Sequence, residues 1–147
     1  MERSKNRKMA YKILEHTADE KFRAEGQTLE KAFSESVKAF GEIVGADPEA
    51  GRYRHKIKVE SESHEALLFD FLNELIFLQD TEGVAVCQTD KLELEEKEDS
   101  YHIKSTIWAD SIDREDSFLD IKAPTYNEMN VEYEKNEGWV LEAVLDV

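Results

Sequence analysis

The sequence is short of several things, and each shortage excludes a class of protein. Its 147 residues include one cysteine, Cys87, so no internal disulfide staples the fold. That thiol sits beside the apolar run Val84-Ala85-Val86, which points to a buried, inert side chain and a reducing compartment. Proline occurs twice and the six glycines stand apart from one another. There is accordingly no flexible linker, no Gly-rich phosphate loop, no internal repeat and no low-complexity tract. The signatures G-x-S-x-G, H-E-x-x-H and C-x-x-C are missing, leaving covalent and zinc catalysis without a local motif. No apolar run approaches the roughly 20 residues that span a bilayer, and the start of the chain lacks the apolar segment of a signal peptide. The expectation is a cytoplasmic protein with no membrane association.

Basic residues are the other deficit. Nineteen lysines and arginines against 34 acidic residues leave a formal net charge of −15. A surface of that sign repels phosphate backbones, so an RNA role is expected to run through a protein partner, with tRNA met only indirectly. The exception is MERSKNRKMAYK, where Arg3, Lys5, Arg7, Lys8 and Lys12 face only Glu2. Residues 1–9 read as a flexible, solvated basic terminus, with docking onto an acidic or nucleic-acid partner as the alternative.

What is present is enough for a core. Hydrophobic residues make up 40% and aromatics 10% of the chain, the composition of one globular domain over residues 1–147. Thr28 is a candidate N-cap for a helix carrying Leu29, Ala32, Phe33, Val37, Phe40, Ile43 and Val44 on one stripe, ended by Gly45 and Pro48. A second helix, SHEALLFDFLNELIFLQD from Ser63, is apolar around most of its circumference, which predicts protein contact on more than one side. Asp70, Asn73 and Glu74 form its narrow polar stripe.

Elsewhere apolar residues recur at every second position. Tyr11, Ile13 and Leu14 open a strand, and Phe22 and Ala24 resume the alternation. Tyr53, Ile57 and Val59 share a face, as do Leu92 and Leu94, and then Tyr101, Ile103, Ile107 and Ala109. KEDS at 97–100 predicts a hairpin, and EKNEG at 134–138 a second one between the Met129, Val131, Tyr133 run and WVLEAVLDV. Strands grouped after two helices, without βαβ alternation, predict an α+β fold: a largely antiparallel sheet with two main helices packed on it.

Chemistry-bearing residues are few. His16, His55, His64 and His102 lack a metal-ligand spacing, and each alone reads as a surface or core-edge histidine. The stretch YKILEHTADEKF interrupts its own alternation at His16, Thr17 and Asp19, which reads either as a turn capped by Asp19 or as a site. LEAVLDV stays apolar to Val147, implying that this end of the strand is held in the fold. Asp146 then lies beside the α-carboxylate of Val147, and desolvating both requires a compensating cation. If Asp19 joined them, three carboxylates would converge, a donor set suited to Ca²⁺, Mg²⁺ or Mn²⁺. Residue spacing alone leaves open the alternative of a capped turn and a solvated Asp146.

Three segments, YKILEHTADEKFRAEG, LLFDFLNELIFL and IKAPTYNEMNV with the terminal LDV, together resemble the archease family: small acidic proteins that assist the tRNA-splicing RNA ligase. That ligase joins ends bearing a 3'-phosphate or a 2',3'-cyclic phosphate. The resemblance spans nearly the whole chain. It implies an activator and not an enzyme, one that promotes guanylylation of the ligase's active-site histidine and restores multiple turnover. It also implies a divalent metal held by Asp19, Asp146 and the terminal carboxylate of Val147, with Lys122 of K-A-x-T-Y as a functional basic residue. Glu20, Pro124 and Asn127 depart from the family pattern of an aliphatic residue, a valine and a histidine at these places. Pro124 restricts Ala123 and removes a backbone donor, and Asn127 cannot act as a general acid. Two other functions stay in view: a carboxylate-metal phosphoesterase, and a metal-independent, chaperone-like interaction module, which the apolar second helix favours.

Overall fold

The computed structural model describes residues 10–14, 19–112 and 118–147. The basic stretch 1–9, His16 and Thr17 lie outside the described residues. In chain order the elements are β1 (Tyr11–Leu14), β2 (Glu20–Gly26), α1 (Leu29–Val44), β3 (Tyr53–Ser61), α2 (His64–Glu82), β4 (Val84–Lys97), β5 (Ser100–Ser111), β6 (Ala123–Glu134) and β7 (Gly138–Asp146).

Both helices begin and end where local chemistry dictates. The Thr28 hydroxyl accepts from the Lys31 N–H at 3.1 Å and the Ser63 hydroxyl from the Ala66 N–H at 3.0 Å. Each satisfies a donor with no partner in the first turn, worth about 1 kcal/mol. Gly45 and Gly83 close the helices in the left-handed region, at φ 101° and 65°, where a side chain would be strained. The α1 stripe buries Ala32, Phe33, Val37 and Phe40 completely.

The strands divide between two antiparallel sheets, one ordered β1-β2-β7-β6 and the other β3-β5-β4. The α+β class read from the sequence is therefore what forms, with two sheets in place of one. Each helix touches both sheets: α1 packs on β2 and β4, and α2 on β6 and β3. Phe22, Leu141, Ala143 and Leu145 enter the same core as Phe33, Phe71, Ile103 and Ile107. Burying one such large side chain stabilises the fold by roughly 1.5–3 kcal/mol.

Both expected hairpins are present. Lys97 pairs with Ser100 across a two-residue turn, and Glu134 with Gly138 across three residues. Gly138 sits at φ 83°, and a Cβ there would come 2.6 Å from the Gly26 carbonyl oxygen. The turn therefore takes only glycine, for backbone conformation and for space.

Two regions differ from their sequence pattern. Val84, Ala85, Val86 and Cys87 are all buried, and β4 shifts register between Val86 and Gln88 and again between Thr89 and Lys91. Such bulges reset the inward-outward parity. The outer side of α2 is also less covered than its apolar circumference predicts: Phe77 is 60% exposed, and Phe69 stacks on Tyr126, itself 57% exposed. Of the polar stripe, Asp70 accepts from the Ser61 hydroxyl at 2.5 Å, while Asn73 is exposed.

Candidate metal centre

Antiparallel register brings the chain's two ends of interest together. β2 starts at Glu20, which pairs with Leu145, near the end of β7. Asp19, one residue earlier, and Asp146, one residue later, thus occupy facing ends of neighbouring strands, which lie about 4.8 Å apart. On the other flank of β7, Ala123 pairs with Asp146, and the Lys122 N–H donates to the Asp146 carbonyl at 2.8 Å. Three separate chain segments, bearing Asp19, Lys122 and Asp146-Val147, meet at one end of the four-stranded sheet.

Alternation along β7 sets which way these groups face. Leu145 is fully buried, so Asp146 falls on the opposite side and is exposed, whereas Val147 packs against the core. The chain is held through its last strand, as the apolar pattern LEAVLDV implies. Alternation turns the Asp146 carboxylate to water, the solvated position that residue spacing left open. Asp19 is half-buried and Lys122 exposed.

The available donors are carboxylate oxygens from Asp19, Asp146 and Val147. Among the described residues no group of three or more His, Cys, Asp or Glu side chains is placed for a metal ion. Carboxylate oxygens of this kind suit hard divalent cations such as Ca²⁺, Mg²⁺ or Mn²⁺. Lys122 brings a positive charge to the same end of the sheet, suited to balancing carboxylates or meeting a phosphate.

The departures from the family pattern now have positions. Pro124 is buried in β6 and pairs with Leu145. β6 is an edge strand, where a missing backbone donor is tolerated. The KAPTY segment therefore keeps its ladder with β7. Glu20 is half-buried at the start of β2, next to Asp19. Asn127 is exposed in a bulge that separates Thr125 from Asn130 along β6, and its N–H donates to the Thr125 hydroxyl at 3.0 Å. Within the same bulge Glu128 has φ 62°, and its carboxylate meets the Lys21 ammonium at 3.1 Å. The sequence offered no signal for this loop of residues, because a multi-residue bulge erases alternation.

The three described histidines are dispersed. His55 lies in β3, its buried Nε2 without a hydrogen-bond partner among the described residues; His64 opens α2 against the rings of Tyr101 and Trp139; and His102 lies on β5 beside Ser100 and Glu60.

Residues 11–147 match the model of the Archease protein family (MTH1598/TM1083). A protein archease of Methanosarcina mazei is 33% identical over 140 residues, covering 93% of this chain and 95% of the relative. One of Pyrococcus furiosus is 35% identical over 136 residues, covering 90% and 95%. The solution structure of Methanobacterium thermoautotrophicum protein 1598 superposes with a TM-score of 0.77 at 25% identity, covering 95% of this chain and 99% of that one. The crystal structure of a Thermotoga maritima archease, described as a possible chaperone, matches the fold with a TM-score of 0.59 at 21% identity, covering 92% and 96%. With its family model matched from the first described strand to Val147 and relatives aligned over nearly their full length, this chain belongs to the archease family.

Proposed function

We propose that this protein is an accessory factor that activates the tRNA-splicing RNA ligase, promoting ligase guanylylation and multiple turnover in a manner dependent on a bound divalent cation. Family membership supports the accessory role. The observation that carries the metal dependence is the register that sets Asp19 against Asp146 with Lys122 hydrogen-bonded alongside. Asp19, Asp146 and the Val147 carboxylate would hold the ion, which would supply fixed positive charge at an otherwise acidic edge. Lys122 adds a cation that is free to meet a phosphate or a carboxylate of the partner. The acidic surface suits transient docking on a ligase that must itself be basic to hold tRNA.

Multiple-turnover ligation of RNA bearing a 2',3'-cyclic phosphate, with and without this protein, tests the proposal. Asp19→Ala, Asp146→Ala, Lys122→Ala and a one-residue extension after Val147 should each abolish stimulation. Asp146→Ala and Lys122→Ala should leave the melting temperature within about 2 °C, because exposed substitutions cost within about 0.5 kcal/mol. Normal stimulation by the extended chain removes the terminal carboxylate from the site. Hydrolysis of cyclic phosphates by the protein and metal without ligase would favour the phosphoesterase. The exposed Phe77 and the Phe69–Tyr126 stack favour, as a second reading, a metal-independent module that contacts other proteins; full stimulation by Asp19→Ala would support it.

A further inference from the structure

The three-stranded sheet leaves one face open, and that face has the wrong sign for the rest of the molecule. Along β3, Arg54, Lys56 and Lys58 alternate outward while Ile57 and Val59 are buried. Register sets Trp108 opposite Arg54, Thr106 opposite Lys56 and Lys104 opposite Lys58, and places Lys91 on the far side of Thr106. Five basic side chains thus line a depression of about 510 Å³ together with two acids, Asp90 and Glu93, the latter opposite Lys104 in the register; Glu60 and Glu95 follow on the same outward side at its edge. The lining carries +3 on a chain whose formal total is −15.

We propose that this face binds a single strand of nucleic acid through its phosphates, independently of the ligase activation argued above. The net charge of the whole chain disfavours contact with RNA, but at physiological salt the field of distant acids is screened beyond about 8 Å. A strand seated in the depression therefore meets chiefly the +3 of its lining, with Glu60 and Glu95 as the acids at its margin. Among the described residues none of the five is in ion-pair contact with a carboxylate. On the outward face of the other sheet the opposite holds: Arg23 is gripped by Glu25, Glu134, Glu137 and Glu142, and Lys21 by Glu128.

Lysine on the edge strands β3 and β4 also discourages strand addition, yet Lys104 lies on the central strand, where no edge needs protection. The geometry favours a nucleic-acid strand over an acidic protein. Arg54, Lys56 and Lys58 form a straight track with a step of about 6.7 Å, two residues of strand rise. That step is comparable with the separation of consecutive phosphates. The Arg54 guanidinium lies 5.4 Å from the Trp108 ring centroid, a cation–π contact that holds it extended over the sheet. Phosphate contacts along such a track need no buried apolar anchor of the kind a protein partner uses.

Fluorescence anisotropy with a labelled single-stranded RNA, titrated by the full-length protein across a salt series, tests this. Binding should weaken with salt with a log–log slope between about −2 and −3, the release expected for three or four phosphates. The double variant Lys56→Glu/Lys104→Glu should bind at least ten-fold more weakly, and Lys135→Glu, on a turn of the other sheet, as well as the parent. Amide shifts induced by RNA in the unmodified protein should fall on residues 54–58 and 104–108, a readout that needs no variant to fold. No binding at low salt, equal binding by the double variant, shifts confined to other surfaces, or equal competition by polyglutamate would each overturn the proposal.

Discussion

At Cys87 burial decides reactivity. The side chain has no solvent exposure, and its thiol is pushed up to about 11, first by burial and then by the nearby charges of Asp110 and Asp47. Thiolate is the reactive form, so alkylation by iodoacetamide at pH 8 should be at least about a hundred-fold slower in the folded protein than in denaturant. A native rate equal to the denatured one would show that the thiol is accessible. The linkage has a definite sign. Above about pH 8.5 the unfolded thiol loses its proton while the folded one keeps it. Folding stability from this group therefore falls as pH rises from about 8.5 towards 11. The buried core cysteine was legible in the sequence because the three residues before it, Val84, Ala85 and Val86, are apolar. The exposure of Asp146 was legible only in part: alternation predicted a face opposite Leu145, but not whether solvent or another element would cover it.

At the scale of an element, α1 shows where propensity and packing disagree. Gly41 lies in its last turns against β4, and a Cβ there would come 2.8 Å from the Val86 carbonyl oxygen and 2.9 Å from that of Cys87. Alanine gains about 1 kcal/mol of helix propensity over glycine, but these contacts are backbone and cannot swing aside, and overpacking of this kind costs about 1–3 kcal/mol. Gly41→Ala should therefore lower the denaturant midpoint; an unchanged or higher midpoint would mean that α1 can shift away from β4. The cap at Thr28 and the stop at Gly45 were readable because they act within a few residues. The first part of β4 was not, since Val84 to Cys87 are buried on both faces and two bulges break the period. β6 failed for a related reason, the bulge between Thr125 and Asn130.

At the scale of the molecule, charge and topology cannot be read from totals. The division into two sheets depends on β2 pairing with β7, across more than a hundred residues of chain, and no local pattern encodes such a pairing. Asp19 and Asp146 could be suspected as partners from their residue types and from the resemblance, but only the register places them on facing strand ends. Likewise the acidic total concealed a basic sheet face, because a sum over the chain carries no information on where strand register gathers Arg54, Lys56, Lys58, Lys91 and Lys104.

In the proposed function Asp19, Asp146 and the Val147 carboxylate together hold one divalent cation. Titration of the metal-free protein with Mn²⁺, read by electron paramagnetic resonance, measures this without any ligase. The account predicts one bound ion per chain, with affinity reduced at least ten-fold in Asp19→Ala, in Asp146→Ala and in the chain extended after Val147, each still folded by circular dichroism. Equal Mn²⁺ binding by the parent and all three variants would contradict it.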